Sequence, residues 1–244
     1  MEALVGCAAK RGCPARALSL RPCAAPSRCV TRIRASDGAA CCAHHKVVVG
    51  PMFAGKTTHL LKRVQTLRSE GLMVQLVKPS VDDRYDRNSI VSHNQMKLPA
   101  TVVDMLADVP EAIGPERWKR ADVVGIDEGQ FFPDLEATVR DWVDKHDKHV
   151  LVYGLKGSHT RRAFGEMHKL LANADKFEML EAKCHFCQAP APHSVKLEGD
   201  KRVLEDVGGK EMYAAVCRYH YNMLKSSGTI SSQANQAGQE GSVV

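Results

Sequence analysis

Long hydrophobic runs are missing from this sequence. None approaches the ~18 uninterrupted apolar residues that a spanning helix needs, which excludes an integral helical membrane protein, and no membrane partner is expected. No unit recurs with a period of ~20–50 residues, which excludes a solenoid or a propeller. A basic excess is missing from most of the chain, although the formal net charge is +6. Residues 1–44 hold seven basic side chains (Lys10, Arg11, Arg16, Arg21, Arg28, Arg32, Arg34) against Glu2 and Asp37. The other 200 residues hold 27 basic and 26 acidic side chains, a balance of only +1. A surface that tracks phosphates along nucleic acid needs more than that, so no nucleic-acid partner is expected. Cysteine is scarce in the same region. Six of the nine lie in the first 42 residues, leaving Cys184, Cys187 and Cys217. An odd number argues against a disulfide framework.

The 44% hydrophobic and 25% charged composition is that of a globular protein, and 244 residues make one large domain or two small ones. Residues 1–44 contain eleven Ala, six Arg, several Ser and almost no acid, without a continuous apolar stretch. That is the composition of an organellar transit peptide, and Ile33-Arg34-Ala35-Ser36 resembles a plastid-type processing site. A plastid address is favoured over a mitochondrial one. A disordered tail with no address, on a cytoplasmic protein, is the alternative. The segment is excluded from fold reasoning.

The body begins with a β-branched strand, Lys46 to Val49, then a Gly-rich turn. Leu60, Leu61, Val64 and Leu67 have helical spacing within Thr57 to Arg68, Gly71 ends that helix, and Leu72 to Val77 reads as a strand. Strand, helix, strand is a βαβ unit, which implies a parallel sheet. Val102 to Leu106 reads as a short helix, Val123 to Asp127 as a strand, Leu135 to His146 as a helix and His149 to Tyr153 as a strand. The expected organisation is an α/β domain over 45–180, small hairpins carrying metal-type ligands over 181–225, and a disordered Ser/Gly/Gln tail over 226–244.

Gly50-Pro51-Met52-Phe53-Ala54-Gly55-Lys56-Thr57 fits the phosphate-loop pattern G-x-x-x-x-G-K-[ST] between the predicted strand and helix. The glycines let several backbone N–H groups face one phosphate, and the helix adds its positive end. Lys56 suits the β- and γ-phosphates, and Thr57 suits Mg²⁺. A second metal acid is expected at the end of a neighbouring strand, where Asp127 stands. Glu128 beside it is a candidate general base, for an acceptor hydroxyl in a kinase or for water in an ATPase. These two acids alone leave that choice open. Cys184-His185-Phe186-Cys187 and Cys217-Arg218-Tyr219-His220 are C-x-x-C and C-x-x-H pairs. Together they can close a tetrahedron around structural Zn²⁺ through Cys184, Cys187, Cys217 and His220. His185 is an alternative ligand, and a redox C-x-x-C is the rival reading.

The phosphate loop with Thr58, the block Asp127-Glu128-Gly129-Gln130-Phe131-Phe132-Pro133-Asp134, and Gly209 to Tyr221 around the second ligand pair closely resemble the cellular (type II) thymidine kinases. The resemblance runs from about Lys46 to Tyr221. It implies a RecA-like P-loop core and a ribbon-like zinc-binding domain with a lasso loop. It also implies MgATP-dependent phosphorylation of the thymidine 5′-hydroxyl, inhibition by dTTP and a homotetramer. By the same resemblance, Glu128 is the base on the 5′-hydroxyl, and Lys56, Thr57 and Asp127 serve the phosphates and metal. Arg84 lies near the phosphates. Met52, Gln130, Phe131, Leu155, Phe164, Ser194 and Tyr213 form the nucleoside site. Some positions depart from the pattern: Lys156 replaces an acid, His159 an aromatic residue, Asn94 an acid, His193 a tyrosine and Asp206 a small aliphatic residue. A nucleic-acid-binding RecA-like ATPase with a zinc ribbon is the alternative that the body's neutral charge opposes.

Overall fold

In the computed structural model, described over residues 44–82, 89–91, 96–197 and 212–227, the β-branched run forms β1 (His45–Gly50). The phosphate loop follows and leads into α1 (Lys56–Ser69). Gly55, at a left-handed φ of 77°, turns the chain into that helix, a conformation that favours glycine. Leu60, Leu61, Val64 and Leu67 are fully buried along one stripe of α1, as their spacing requires. The chain then makes β2 (Val74–Pro79), a hairpin of β3 (Ser89–Val91) and β4 (Lys97–Pro99), and β5 (Thr101–Val103). After two short helices, α2 (Val109–Ile113) and α3 (Pro115–Arg120), come β6 (Val123–Ile126), α4 (Leu135–Asp144), β7 (His149–Leu155) and β8 (Lys176–Met179).

Six of these strands form one parallel sheet in the order β5-β2-β6-β7-β1-β8. Strand alternation sends Val47, Val49, Val124 and Val152 into a core with α4, including Phe132, Leu135 and Trp142. Val48, Leu76, Leu151 and Tyr153 enter a second core with α1. The sheet is thus covered on both faces, the arrangement of an α/β P-loop core.

Beyond the sheet, β9 (Ala182–Lys183) pairs antiparallel with β10 (Pro190–Ala191), and β11 (His193–Lys196) with β12 (Tyr213–Val216). A closing helix, α5 (Arg218–Ser226), packs on them around Val195, Ala214, Val216 and Tyr221.

Three expectations are corrected. Val102 to Leu106 is not a short helix: Thr101, Val102 and Val103 pair with Val77, Lys78 and Pro79 as an edge strand, which suits β-branched residues. A 3₁₀ turn at Leu106–Asp108 and α2 follow, with the Asp134 carboxylate accepting from the Leu106 and Ala107 N–H groups at 3.1 and 2.9 Å. The acid-bearing strand β6 is not a neighbour of β1, because β7 lies between them. Ser226, expected in the tail, is the last residue of α5. Arg84, Asn94, Asp206, residues 1–43 of the expected transit segment 1–44, most of the lasso and the tail beyond 227 lie outside the described residues. No helix among the described residues is long and apolar enough to cross a membrane.

Candidate active site and metal centre

The carboxyl ends of β1, β2 and β6 face a cleft of about 600 Å³. Met52, Phe53, Ala54, Gly55, Lys56, Thr57 and Thr58 line it together with Asp127 and Glu128. Helix α1 packs across β1, β7 and β2, which carries its first turn over the strand ends. The Thr57 hydroxyl therefore donates to Asp127 Oδ2 at 3.0 Å although one strand separates β1 from β6. Lys56, 7% exposed, donates from Nζ to the Pro51 carbonyl at 2.9 Å inside its own loop.

Asp127 is 2% exposed, and its Oδ1 is buried with no hydrogen-bond partner. Burial above all, then the charges of Glu128 and Asp82, push its carboxyl up to about 7, against the Thr57 hydrogen bond and the Lys56 charge. A buried, unpartnered carboxylate oxygen beside a hydroxyl is a hard oxygen pair, and it fits Mg²⁺.

Glu128 occupies left-handed backbone at φ 49°, ψ 44°. Gln130 holds it, donating from Nε2 to Glu128 Oε2 at 2.7 Å while its Oε1 accepts from the Leu155 N–H at 2.9 Å. Gln130 is thereby committed to orienting Glu128 against β7, with one N–H left for a ligand. Gly165 allows this. It sits at φ 55°, and a Cβ there would overlap the Gln130 carbonyl. Phe131 and Phe164 come together edge to face, centroids 5.4 Å apart at 81°. Ser194 reaches back from β11 and accepts the Met52 N–H on its hydroxyl at 2.9 Å. Tyr213, 5% exposed, lies 6.4 Å from the His159 ring. Thus the phosphate-loop residues and acids meet in the cleft, and Phe131, Phe164, Gln130 and Leu155 form a second group beside it.

Four ionisable residues of the cleft stand outside the sequence motifs: His59, Lys62, Lys78 and Asp82. Lys78, 3% exposed, donates to the Asp82 carbonyl at 2.9 Å. Its signal was available, since it ends the apolar run of β2 as Asp127 ends that of β6. His59 follows the phosphate loop on α1, its Nδ1 2.8 Å from the Tyr153 hydroxyl and its Nε2 3.6 Å from Glu178.

The second constellation is compact. One ligand atom each from Cys184, Cys187, Cys217 and His220 lie within 4.8 Å of one another. Cys187 and Cys217 sulfurs are 3.8 Å apart, and His220 Nδ1 lies 3.5 and 3.3 Å from the sulfurs of Cys184 and Cys217. Tetrahedral zinc with Zn–S ~2.3 Å and Zn–N ~2.0 Å has edges of ~3.8 Å between sulfurs and ~3.5 Å between sulfur and nitrogen. The donor set and spacing therefore fit Zn²⁺. Burial alone would raise the Cys184 thiol, but backbone hydrogen bonds from Cys217, Cys187 and Phe186 lower it to about 6, which favours the thiolate a metal needs. His185 is not one of the four.

A family model described as thymidine kinase matches residues 43–221. Three curated relatives agree. Thymidine kinase a of Arabidopsis thaliana is 36% identical over 201 residues, covering 81% of this chain and 84% of that protein. A thymidine kinase of Oryza sativa subsp. japonica is 39% identical over 176 residues, 72% of this chain and 65% of its own length. A thymidine kinase of Deinococcus deserti is 37% identical over 190 residues, 73% of this chain and 94% of the bacterial protein.

Proposed function

The chain belongs to the thymidine kinase family, and from that premise we propose how its residues divide the transfer of the γ-phosphoryl group of ATP to the 5′-hydroxyl of thymidine. The observation that carries the assignment is the Thr57–Asp127 hydrogen bond, with Asp127 Oδ1 buried and unpartnered and Glu128 next in the chain.

Backbone N–H groups of the phosphate loop and the N-terminus of α1 take the ATP phosphates, and Lys56 exchanges its Pro51 carbonyl for them. Thr57 and Asp127 hold Mg²⁺, which when bound neutralises charge on the β- and γ-phosphates. Glu128, oriented by Gln130, accepts the proton of the 5′-hydroxyl. Phe131 and Phe164 offer an aromatic corner to the pyrimidine, and Met52, Leu155, Ser194 and Tyr213 border the base. The resemblance assigns Arg84, outside the described residues, to the phosphates as well. A thymidine triphosphate carries both the base and the phosphate chain these groups recognise, so dTTP inhibits by occupying the site.

Zn²⁺ at Cys184, Cys187, Cys217 and His220 is structural, because four protein ligands leave no open position. The working organisation is an organellar address over 1–44, a P-loop domain over 45–180, a zinc-binding domain from 181 to the end of α5 and a tail beyond it, in a homo-oligomer. The plastid is the favoured destination.

Glu128→Gln tests the central assignment. It keeps shape and hydrogen bonding but removes the base, so thymidine phosphorylation should fall ~10²–10⁴-fold while ATP affinity is kept. Near-normal turnover would refute the role.

A further inference from the structure

Lys78 is a buried lysine at the carboxyl end of β2, 3% exposed, and it lines the cleft with Lys56, Asp127 and Glu128. The residue before it, Val77, pairs with Ile126 of β6, and both belong to the core under α4. Side chains alternate along a strand, so Lys78 and Asp127, one residue further on, both turn toward α1. The ladder continues as far as Asp127, whose N–H donates to the Val77 carbonyl at 3.0 Å. The Asp127 carboxylate meets Thr57 of α1 on that same face. With the strands in the order β2-β6-β7-β1, Asp127 stands between Lys78 on one side and the phosphate loop with Lys56 on the other.

The two lysines rest alike, each on a backbone carbonyl of a loop at the cleft. Lys56 Nζ donates to Pro51 at 2.9 Å, and Lys78 Nζ donates to Asp82 at 2.9 Å. The second contact spans a turn after β2 that is already closed by the Asp82 N–H, which donates to the Pro79 carbonyl at 3.2 Å. A neutral donor would serve that turn equally well, whereas burying an ammonium is costly. The charge of Lys78 therefore has a use that the turn does not supply. It faces a cleft whose ligand carries a chain of phosphates.

We propose that Lys78 is a second phosphate lysine, one that binds the γ-phosphoryl group during its transfer, from the side of Asp127 opposite Lys56. The inference rests on the kinase reading above. Lys56, in the phosphate loop, serves the leaving side of the phosphate chain, and Lys78, beyond Asp127, serves the group in transfer. The bond from the γ-phosphorus to the ADP oxygen breaks, the bond to the 5′-oxygen forms, and Glu128 takes the hydroxyl proton. Lys78 exchanges the Asp82 carbonyl for the γ-phosphoryl oxygens and gives up no proton. A fixed positive charge that meets this group more closely in transfer than in bound ATP raises kcat rather than nucleotide affinity.

The test uses the zinc-loaded full chain with two variants. Lys78→Gln keeps an N–H donor for the turn and removes the charge, and Lys78→Arg keeps the charge. Calorimetry reads the affinity for MgADP alone and for MgADP with aluminium fluoride and thymidine, where the fluoride complex stands in for the phosphoryl group in transfer. Lys78→Gln should bind MgADP as the wild type does and lose at least roughly tenfold in affinity for the fluoride complex. Its kcat should fall ~10²–10³-fold with KM for thymidine unchanged, and Lys78→Arg should recover part of both losses. Equal weakening of MgADP and the fluoride complex, no weakening of either, or an arginine variant no better than the glutamine one would overturn the proposal. Any of these results beside a wild type that phosphorylates thymidine overturns the role of Lys78 alone. A wild type that does not phosphorylate thymidine overturns the kinase reading and this inference with it.

Discussion

Replacing Asp127 with asparagine should stabilise the metal-free protein at neutral pH while abolishing phosphoryl transfer. The carboxyl is 2% exposed, one of its oxygens has no partner, and Glu128 and Asp82 add negative charge nearby. Moving it from 3.8 to about 7 corresponds to ~4 kcal/mol of preference for the protonated form. A carboxyl raised in this way binds more protons in the folded chain than in the unfolded one between the two values. Its contribution to stability is therefore full below about 4 and is lost as pH rises through about 7. Between pH 5 and pH 8 the loss is roughly 2–3 kcal/mol by the same linkage.

The measurement is denaturant unfolding from pH 5 to 8.5, in Mg²⁺-free buffer that leaves the zinc in place. Wild type should lose those 2–3 kcal/mol relative to Asp127→Asn, a widening gap of roughly 5–10 °C in Tm for a chain of this size. Adding MgATP should restore the wild type at high pH, because the metal supplies the missing partner, and should do far less for the variant. Parallel pH profiles for the two proteins would refute the reasoning, since Asp127 would then ionise as an ordinary surface acid.

Gly165→Ala should cut thymidine turnover at least tenfold, because a Cβ there displaces the Gln130 backbone and with it the group that orients Glu128; steady-state kinetics with unchanged zinc content check it. Purified protein should carry one zinc per chain by metal analysis, and Cys187→Ser should lower zinc content and stability together. A chain beginning near Cys41 should keep full activity, whereas cutting past Val49 should abolish it, because β1 is the strand that anchors the phosphate loop.

The central strands and long helices were legible because their apolar residues keep one period over enough length. Val47 to Val49, Val123 to Ile126 and His149 to Tyr153 are buried throughout, and α1 shows its stripe directly. Edge elements were not. Strand β8 alternates half-buried Lys176 and Glu178 with exposed Phe177 and Met179, so no apolar run announces it. Strand order was hidden for another reason: that β7 separates β1 from β6 is a long-range pairing that no local window contains. Helix α5 buries only Tyr221 and starts from the ligand pair rather than from an apolar stripe. In the cleft, the phosphate loop and the acid pair were legible as contiguous motifs. Lys78 and Asp82 are single residues whose placement depends on where β2 ends.

The hairpins that carry the Cys₃His cluster bear directly on the cleft. Ala54 of the phosphate loop packs against their apolar core, and the neighbouring Met52 N–H is held by Ser194. On the other side, Tyr221 holds the His159 carbonyl, at the start of the loop that brings Phe164 to Phe131. One small metal-fitted unit therefore grips the phosphate side and the aromatic side through separate contacts. Its core is too small to be stable alone, with Val195, Val216, Tyr221 and a few alanines as its main apolar content. A metal that closes it thus fixes two distances at once: phosphate loop to strand β11, and aromatic corner to α5. Loss of the metal should damage thymidine binding more than ATP binding. The phosphate loop keeps its own strand and helix, while the Phe164 loop loses the Tyr221 contact on which its position rests.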